Sequence, residues 1–450
     1  MSKAIPRIAF VSAMSGGGKT TAACAVMRAL VNKGLSVSPF KCGPDYIDPM
    51  HHFAAAGRQG VNLDPFFLSP AELREVFCEN AKDADIAVIE GVMGYYDGVK
   101  PDSDKASTYD TLKTLGVPAV LVIPARGMSY TIISVINGIV GFRNDSNIKA
   151  VILSGVTEMT YKMLKPVIER ETGTAAAGYI PRLENTVESR HLGLTMPWEN
   201  DADVIEKNAE MIAETVDLGL ILKLAESAPS IDAEKSEFPY RGHVKIGVAY
   251  DRAFCFYYKD NLDILKSMGA EPVYFSPIED ENVPDGVSGL IFGGGYPELH
   301  SEALSKNTPM LKSVRGCIES GMPCIAEWGG FMYLHERIEV KKGCFADMAG
   351  VIKADAVKRD RLVRFGYAEL SAIRSCVYLD RGETVRIHEF HYWDSTDNGS
   401  GCIAVKPGGR RSWECVHTEG TLFAGFPHIY LRSEPRFAER FIDECMRYGK

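Results

Sequence analysis

The sequence predicts an α/β protein built as two domains in tandem. Three observations carry that expectation. Short apolar runs alternate with helical patterns in two separate stretches, a polar segment divides them, and the chain has 450 residues, more than one ordinary hydrophobic core supports. In the first stretch the strand candidates are Ile8–Val11, Ser36–Phe40, Ile86–Ile89, Ala119–Ile123 and Ala150–Leu153, with helical patterns such as Thr20–Asn32 and Met159–Glu171 between them. Alternation of this kind builds a parallel sheet wrapped by helices. At 225–242 it lapses into AESAPSIDAEKSEFPYRG, rich in charge and with two prolines. We therefore assign 1–224 to a first domain, 225–242 to a linker and 243–450 to a second domain. The alternation restarts with Val244–Ala249, a helical Asp260–Met268, Pro272–Phe275, Gly289–Phe292 and Cys324–Glu327, and a helix is expected over Phe331–Arg337. After Gly366 the runs become shorter and β-rich, and the chain closes on a helix near Pro435–Arg447.

Composition narrows the class. With 46% hydrophobic and 24% charged residues the chain has a globular balance. No apolar run approaches the roughly 18 residues of a membrane span, and a strand-like Arg7–Val11 follows Met1 without the apolar region of a secretory leader. A net charge of -9 argues against nonspecific nucleic-acid binding. Eleven cysteines without a CxxC pair suggest neither a zinc site nor a disulfide framework. The expectation is a cytoplasmic protein with neither nucleic-acid nor membrane partners.

The most specific motif is Ser12-Ala-Met-Ser-Gly-Gly-Gly-Lys-Thr-Thr21, which follows the first strand and opens a helix. A glycine-rich loop in that place aims backbone N–H groups and a helix N-terminus at phosphate. Ser15, Gly16, Gly17, Gly18, Lys19, Thr20 and Thr21 are the candidate nucleotide-binding residues. Lys19 is expected to reach the outer phosphates and the Thr20 hydroxyl to meet Mg²⁺. Ala13 stands where a standard Walker A loop has its first glycine; one residue earlier, the register fits the longer loop of dethiobiotin synthetase-type ligases, with Ser12 for that glycine. Carboxylates then cluster near strand ends: Asp45 and Asp48 in KCGPDYIDP, Asp64 in NLDP, Glu90 and Asp97 in EGVMGYYDG. Open parallel sheets bind ligands beyond the carboxyl ends of their strands. Mg²⁺ takes one or two carboxylates with phosphate oxygens, so Thr20, Asp45 and Glu90 form a candidate metal set. For Asp64, ahead of Pro65, a turn or cap role is as good a reading.

KCGPDYIDP, NLDPFF, EGVMGYYDG, AFCFYY, FGGGYPELH, HEFHY and HIYLRSEP occur here in one order. Together they resemble the cobyrinate a,c-diamide synthase family over Arg7 to Phe441. The resemblance implies an N-terminal ATP-binding domain of the dethiobiotin synthetase type and a C-terminal class I glutamine amidotransferase-like domain. It further implies ATP and Mg²⁺ as cofactors and a corrinoid or related tetrapyrrole carboxylate as substrate, with Asp45, Asp48 and Asp97 as the substrate-side carboxylates. Relatives acting on nickel-sirohydrochlorin or sirohaem share these motifs, so the macrocycle stays open. Members activate the acid as an acyl phosphate, which ammonia drawn from glutamine displaces. Chemistry independently requires such a scheme, because a carboxylate does not condense with ammonia until it carries a leaving group. A nucleotide-driven scaffold and a tetrapyrrole chaperone without turnover are the competing classes, and the carboxylate set argues against the scaffold.

One position departs from the pattern. Class I amidotransferases hold a cysteine on a tight strand-to-helix turn with a distant histidine as its base. The turn reads AECGG in the family and Ala326-Glu-Trp-Gly-Gly330 here, so Trp328 occupies the nucleophile position. His428, in GFPHIY, matches the catalytic histidine, and Gly293–Gly295 match the segment that supplies oxyanion-hole amides. An indole cannot attack an amide. Cys324, inside the preceding strand, reads as a buried hydrophobe. The nitrogen then comes from free ammonia or from a separate glutaminase partner, or the site is a degraded copy; intact synthetase motifs favour free ammonia. HEFH at 388–391 lacks HExxH spacing and reads as a structural or substrate-lining strand. His51 and His52 read either as macrocycle contacts or as a solvated helix start, and Phe254–Tyr258 as packing.

Overall fold

The computed structural model describes residues 4–182, 189–190, 193–194, 196–199 and 202–450. The chain divides into two compact units, Met1–Ser236 and Glu237–Lys450. Both are α/β with parallel sheets.

The first unit is organised by seven strands: β1 (Arg7–Val11), β2 (Val37–Cys42), β3 (Val61–Leu63), β4 (Ile86–Glu90), β5 (Ala119–Pro124), β6 (Ile148–Ser154) and β7 (Ala175–Ile180). They lie in the order β3-β2-β4-β1-β5-β6-β7, every pair parallel. Residues of β1, β2 and β4 are buried without alternation, as strands covered on both faces require. Helices α1 (Lys19–Asn32) and α2 (Ile47–Ala56) follow β1 and β2. Helix α3 (Pro70–Ala81) shows how local sequence sets a boundary: Ser69 and Glu72 form a reciprocal capping box, with proline in the first turn. Strands β3 and β7 were not foreseen. The first is three residues long, and the second reads AAAGYI, without the β-branched run that announces a strand.

The second unit carries a five-stranded parallel sheet in the order Ala270–Phe275, Val244–Ala249, Leu290–Phe292, Cys324–Glu327, Leu422–Gly425. A five-stranded antiparallel sheet and a four-stranded mixed sheet complete it. The helix Pro435–Tyr448 buries Phe437, Ala438, Phe441, Ile442 and Cys445 in the core. The helix expected over Phe331–Arg337 needs correction. It spans Gly329–Tyr333, and His335 already begins the strand His335–Lys341. His335 pairs with Ile352, and its ring meets the Phe331 carbonyl and the Ser395 hydroxyl, which ends the helix after one turn. Among the described residues no helix is long and apolar enough to cross a membrane.

Candidate active sites

In the first unit the site grows from the carboxyl ends of β1, β2 and β4. The loop after β1 turns into α1 through Gly18, whose φ of 89° favours glycine. A Cβ on Gly17 would stand 2.0 Å from Ser12 Oγ, so the loop closes on itself only without a side chain there. No side chain caps α1, which leaves its first amides for a phosphate. Lys19 is buried, and its Nζ donates to the carbonyls of Met14 (2.9 Å) and Met93 (2.7 Å). Burial, followed by the charge of Lys41, pushes this ammonium down to about 8. Thr20 donates through Oγ1 to Glu90 Oε1 at 2.5 Å. Ser15 and Gly16 lie exposed on the loop, and Thr21 continues the first turn of α1.

Glu90 ends β4 with no exposed surface and is the hub of the carboxylate cluster. Lys41 Nζ lies 2.8 Å from its Oε1, and His52 Nε2 lies 2.6 Å from its Oε2. Lys41 also meets Asp48 Oδ2 at 2.5 Å. Burial opposes the charge of all these groups. For Glu90, Lys41 and His52 overcome it and hold the carboxyl well below its ordinary range. For Lys41, the carboxylates Asp48, Glu90 and Asp45 keep the ammonium protonated above its ordinary range. Asp48 is the group that yields, raised by burial and by the neighbouring charges of Asp45 and Glu90.

Of the sequence-derived set, Thr20 and Glu90 are in direct contact. Asp45 instead accepts from the amides of Ile47 (2.8 Å) and Asp48 (2.9 Å) at the start of α2. Asp97 accepts from the Gly94 amide at 2.8 Å, and Asp64 takes the turn role, accepting from Phe66 at 2.8 Å. His51 and His52 are buried inside α2, so the solvated-helix-start reading does not hold. Sequence reasoning assigned no role to Lys41, although a lysine inside the otherwise uncharged strand VSPFKC was the signal for a buried ion pair. The hard-oxygen pair of Thr20 and Glu90, beside a phosphate loop, suits Mg²⁺.

In the second unit the strand Cys324–Glu327 ends at Trp328, whose φ of 46° and ψ of -99° make the sharp turn of a nucleophile elbow. The Trp328 amide donates to Gly425 O at 2.9 Å and the Gly330 amide to Gly293 O at 3.0 Å. A Cβ on Gly330 would stand 2.3 Å from Phe292 O, so the helix enters only as glycine. The indole is 2% exposed, stacks on Phe256 (5.9 Å, 26°) and meets Tyr296 edge-on at 5.7 Å. Its Nε1 has no hydrogen-bond partner among the described residues. His428 Nδ1 lies 3.0 Å from Glu327 Oε2, so the histidine that the family resemblance offers as a base is held by a carboxylate. Cys324 is fully buried in the strand and burial pushes its thiol up, the opposite of what a nucleophile needs. The HEFH segment lies in the strand Thr384–His391, with His391 bonded to Trp393 O (2.6 Å) and to Glu389 Oε2 (3.1 Å). Phe254, Cys255, Phe256 and Tyr258 are buried, and the Cys255 and Phe256 amides bond Gly294 O.

A phosphate loop on a parallel sheet, with an amidotransferase elbow in a second α/β unit, defines a nucleotide-dependent amide-forming ligase. Residues 8–195 match the CobQ/CobB/MinD/ParA nucleotide binding domain, and residues 245–435 match the CobB/CobQ-like glutamine amidotransferase domain. The chain is 38% identical over 442 residues to the cobyrinate a,c-diamide synthase of Caldanaerobacter subterraneus subsp. tengcongensis, spanning 97% of each. The synthase of Picrophilus torridus is 38% identical over 436 residues (96% of this chain, 97% of the relative), and that of Salmonella typhimurium 36% over 444 (96% of each). The chain belongs to the cobyrinate a,c-diamide synthase family.

Proposed function

We propose that this chain amidates the a- and c-acetate groups of cobyrinate with ATP as activator and free ammonia as nitrogen source. A carboxylate oxygen attacks the γ-phosphorus of ATP and ADP leaves. The ammonia lone pair then attacks the acyl carbon, phosphate departs with the C–O bonding pair, and the surplus proton passes to solvent. Lys19 supplies positive charge to the transferring phosphoryl group. Thr20 and Glu90 are the residues that would hold Mg²⁺, which when bound would neutralise phosphate charge. The ion pair with Lys41 holds Glu90 as an anion ahead of binding.

The observation that carries the ammonia reading is Trp328. A buried indole fills the nucleophile position, and Cys324 is walled into the strand, while the groups around Lys19 and Glu90 are intact. The test is product mass analysis with cobyrinate, ATP and Mg²⁺, with ammonium or glutamine as the nitrogen source. Diamide forms with ammonium and not with glutamine, and at a fixed pH its rate rises with the free NH₃ present. Glutamate release by the parent protein refutes the reading.

A further inference from the structure

Three neighbouring strands of the first unit each place an exposed methionine just past their carboxyl ends. Strands β4, β1 and β5 are adjacent in the sheet and end at Glu90, Val11 and Pro124. Met93, Met14 and Met128 follow, exposed by 43%, 56% and 39%, and Tyr130 beyond them by 63%. Large apolar side chains scattered singly on a surface need no explanation, but these are gathered at one sheet end.

Their placement is enforced. The carbonyls of Met14 and Met93 are the two that hold Lys19 Nζ, at 2.9 and 2.7 Å. The Tyr95 amide donates to Ser12 O at 2.9 Å, and Gly94 packs so closely that a Cβ there would stand 2.7 Å from Ala13 O. The two loops are thereby stitched together with a methionine on each side of the lysine. Met93 adopts a φ of 50°, a conformation that non-glycine residues take at a cost and that persists where the surroundings over-determine it.

We infer that Met14, Met93 and Met128 form an apolar platform against which one face of the macrocyclic substrate lies, with its carboxylate-bearing edge toward Lys19. The inference rests on the function proposed above and names the residues that read the body of the substrate. Position selects this occupant: the acid to be activated has to reach the phosphate that Lys19 meets, and an apolar surface beside that lysine complements a flat apolar ring with carboxylates at its rim. Methionine suits such a ring because its unbranched, polarisable side chain adapts to an irregular surface. The carboxyl ends of a parallel sheet are also where its ligands bind.

The test is calorimetric titration of the full chain with cobyrinate, and separately with ATP, in the parent, in Met128→Ser and in Met128→Leu. Met14 and Met93 are left untouched because their carbonyls hold Lys19. Removing one partly covered methionine should weaken cobyrinate binding about fivefold, from the area it would bury. ATP affinity should stay within about twofold and the leucine variant should recover most of the loss. Unchanged cobyrinate affinity in the serine variant overturns the platform, as does an equal loss for ATP, which would mean a damaged loop. Dissociation of an oligomer in light scattering with unchanged cobyrinate affinity also overturns it, making the patch a self-association face. If the parent binds ATP but no cobyrinate, the substrate reading itself fails, and the platform with it.

Discussion

Replacing Trp328 by cysteine tests the proposal that the second unit lacks only a nucleophile at its elbow. The backbone of the elbow does not depend on the indole. It is held by the Trp328 amide on Gly425 O, the Gly330 amide on Gly293 O and the Met332 amide on Trp328 O, all at 2.9–3.0 Å. A cysteine would therefore inherit the φ of 46° and the same turn. Losing a buried indole that packs on Phe256 and Tyr296 costs about 3–5 kcal/mol. Relief of the partnerless Nε1 returns about 1–3 kcal/mol. The net loss of about 2 kcal/mol lowers Tm by about 4–8 °C in a unit of this size. With a thiol at the elbow and His428 already held by Glu327, glutamate release from glutamine should rise from background to a measurable rate, and glutamine should begin to support diamide formation. The assays are enzymatic glutamate detection and product mass in parent and variant. A variant that folds, melts as expected and releases no glutamate refutes the claim that only the nucleophile is missing. Glutamate release by the parent, abolished in Cys324→Ser, refutes the ammonia reading and the assignment of Cys324 to the core.

Three further outcomes are expected. Lys19→Ala should reduce ATP-dependent amidation by about 10²-fold whatever the nitrogen source, because one lost transition-state contact is worth about 3 kcal/mol; parent-like rates would remove Lys19 from the phosphate site. Glu90→Gln keeps the size of the side chain while removing its charge, so activity should fall and the Mg²⁺ concentration at half-maximal rate should rise; an unchanged Mg²⁺ titration excludes Glu90 as a ligand. The carboxyl of Glu298 is buried, with no hydrogen-bond partner for Oε2 among the described residues, and burial raises it to about 8. Between its ordinary value and 8 the unfolded chain releases this proton and the folded chain keeps it, so stability falls as pH rises through that window. The ceiling is about 5 kcal/mol. Glu298→Gln should therefore raise Tm at pH 8 more than at pH 4.5, and an equal shift at both contradicts the assignment.

Much of this arrangement was legible because the signals are local. The phosphate loop, its strand and its helix are contiguous, so Ser12–Thr21 announces all three. The elbow is equally local, since Ala326–Gly330 runs from the end of one strand through the turn at Trp328 into the helix that follows. What sequence did not yield depends on contacts between distant segments. Lys41 acquires its role from Asp48 and Glu90, the latter 49 positions away, and His52 from Glu90, 38 positions away. Histidines inside an amphipathic helix give no sign of which face carries a carboxylate. Strand β3 exists through pairing with β2, since three residues are too few for a period to show. The switch from helix to strand at His335 is likewise imposed by pairing with Ile352.

The survival of His428 beside Trp328 looks like evidence for a working glutaminase, but the structure gives the histidine a second reason to be there. Glu327 closes its strand with both carboxylate oxygens engaged across the sheet: Oε2 with His428 Nδ1 at 3.0 Å, and Oε1 accepting from the Ile429 amide at 3.1 Å. His428 and Ile429 in turn form a short strand paired with His388 and Ile387. This carboxylate–imidazole clasp therefore joins the parallel sheet to the antiparallel one, and it is 4% exposed at His428. Removing one partner of a buried hydrogen-bonded pair costs more than the pair contributes, because the other group is left unsatisfied. The side chain at the elbow imposes no such cost on the turn, which is held by the backbone bonds of Trp328 and Gly330 while the indole packs against Phe256. Glu327 and His428 are therefore fixed by the joining of the two sheets, and their presence does not require a working nucleophile beside them.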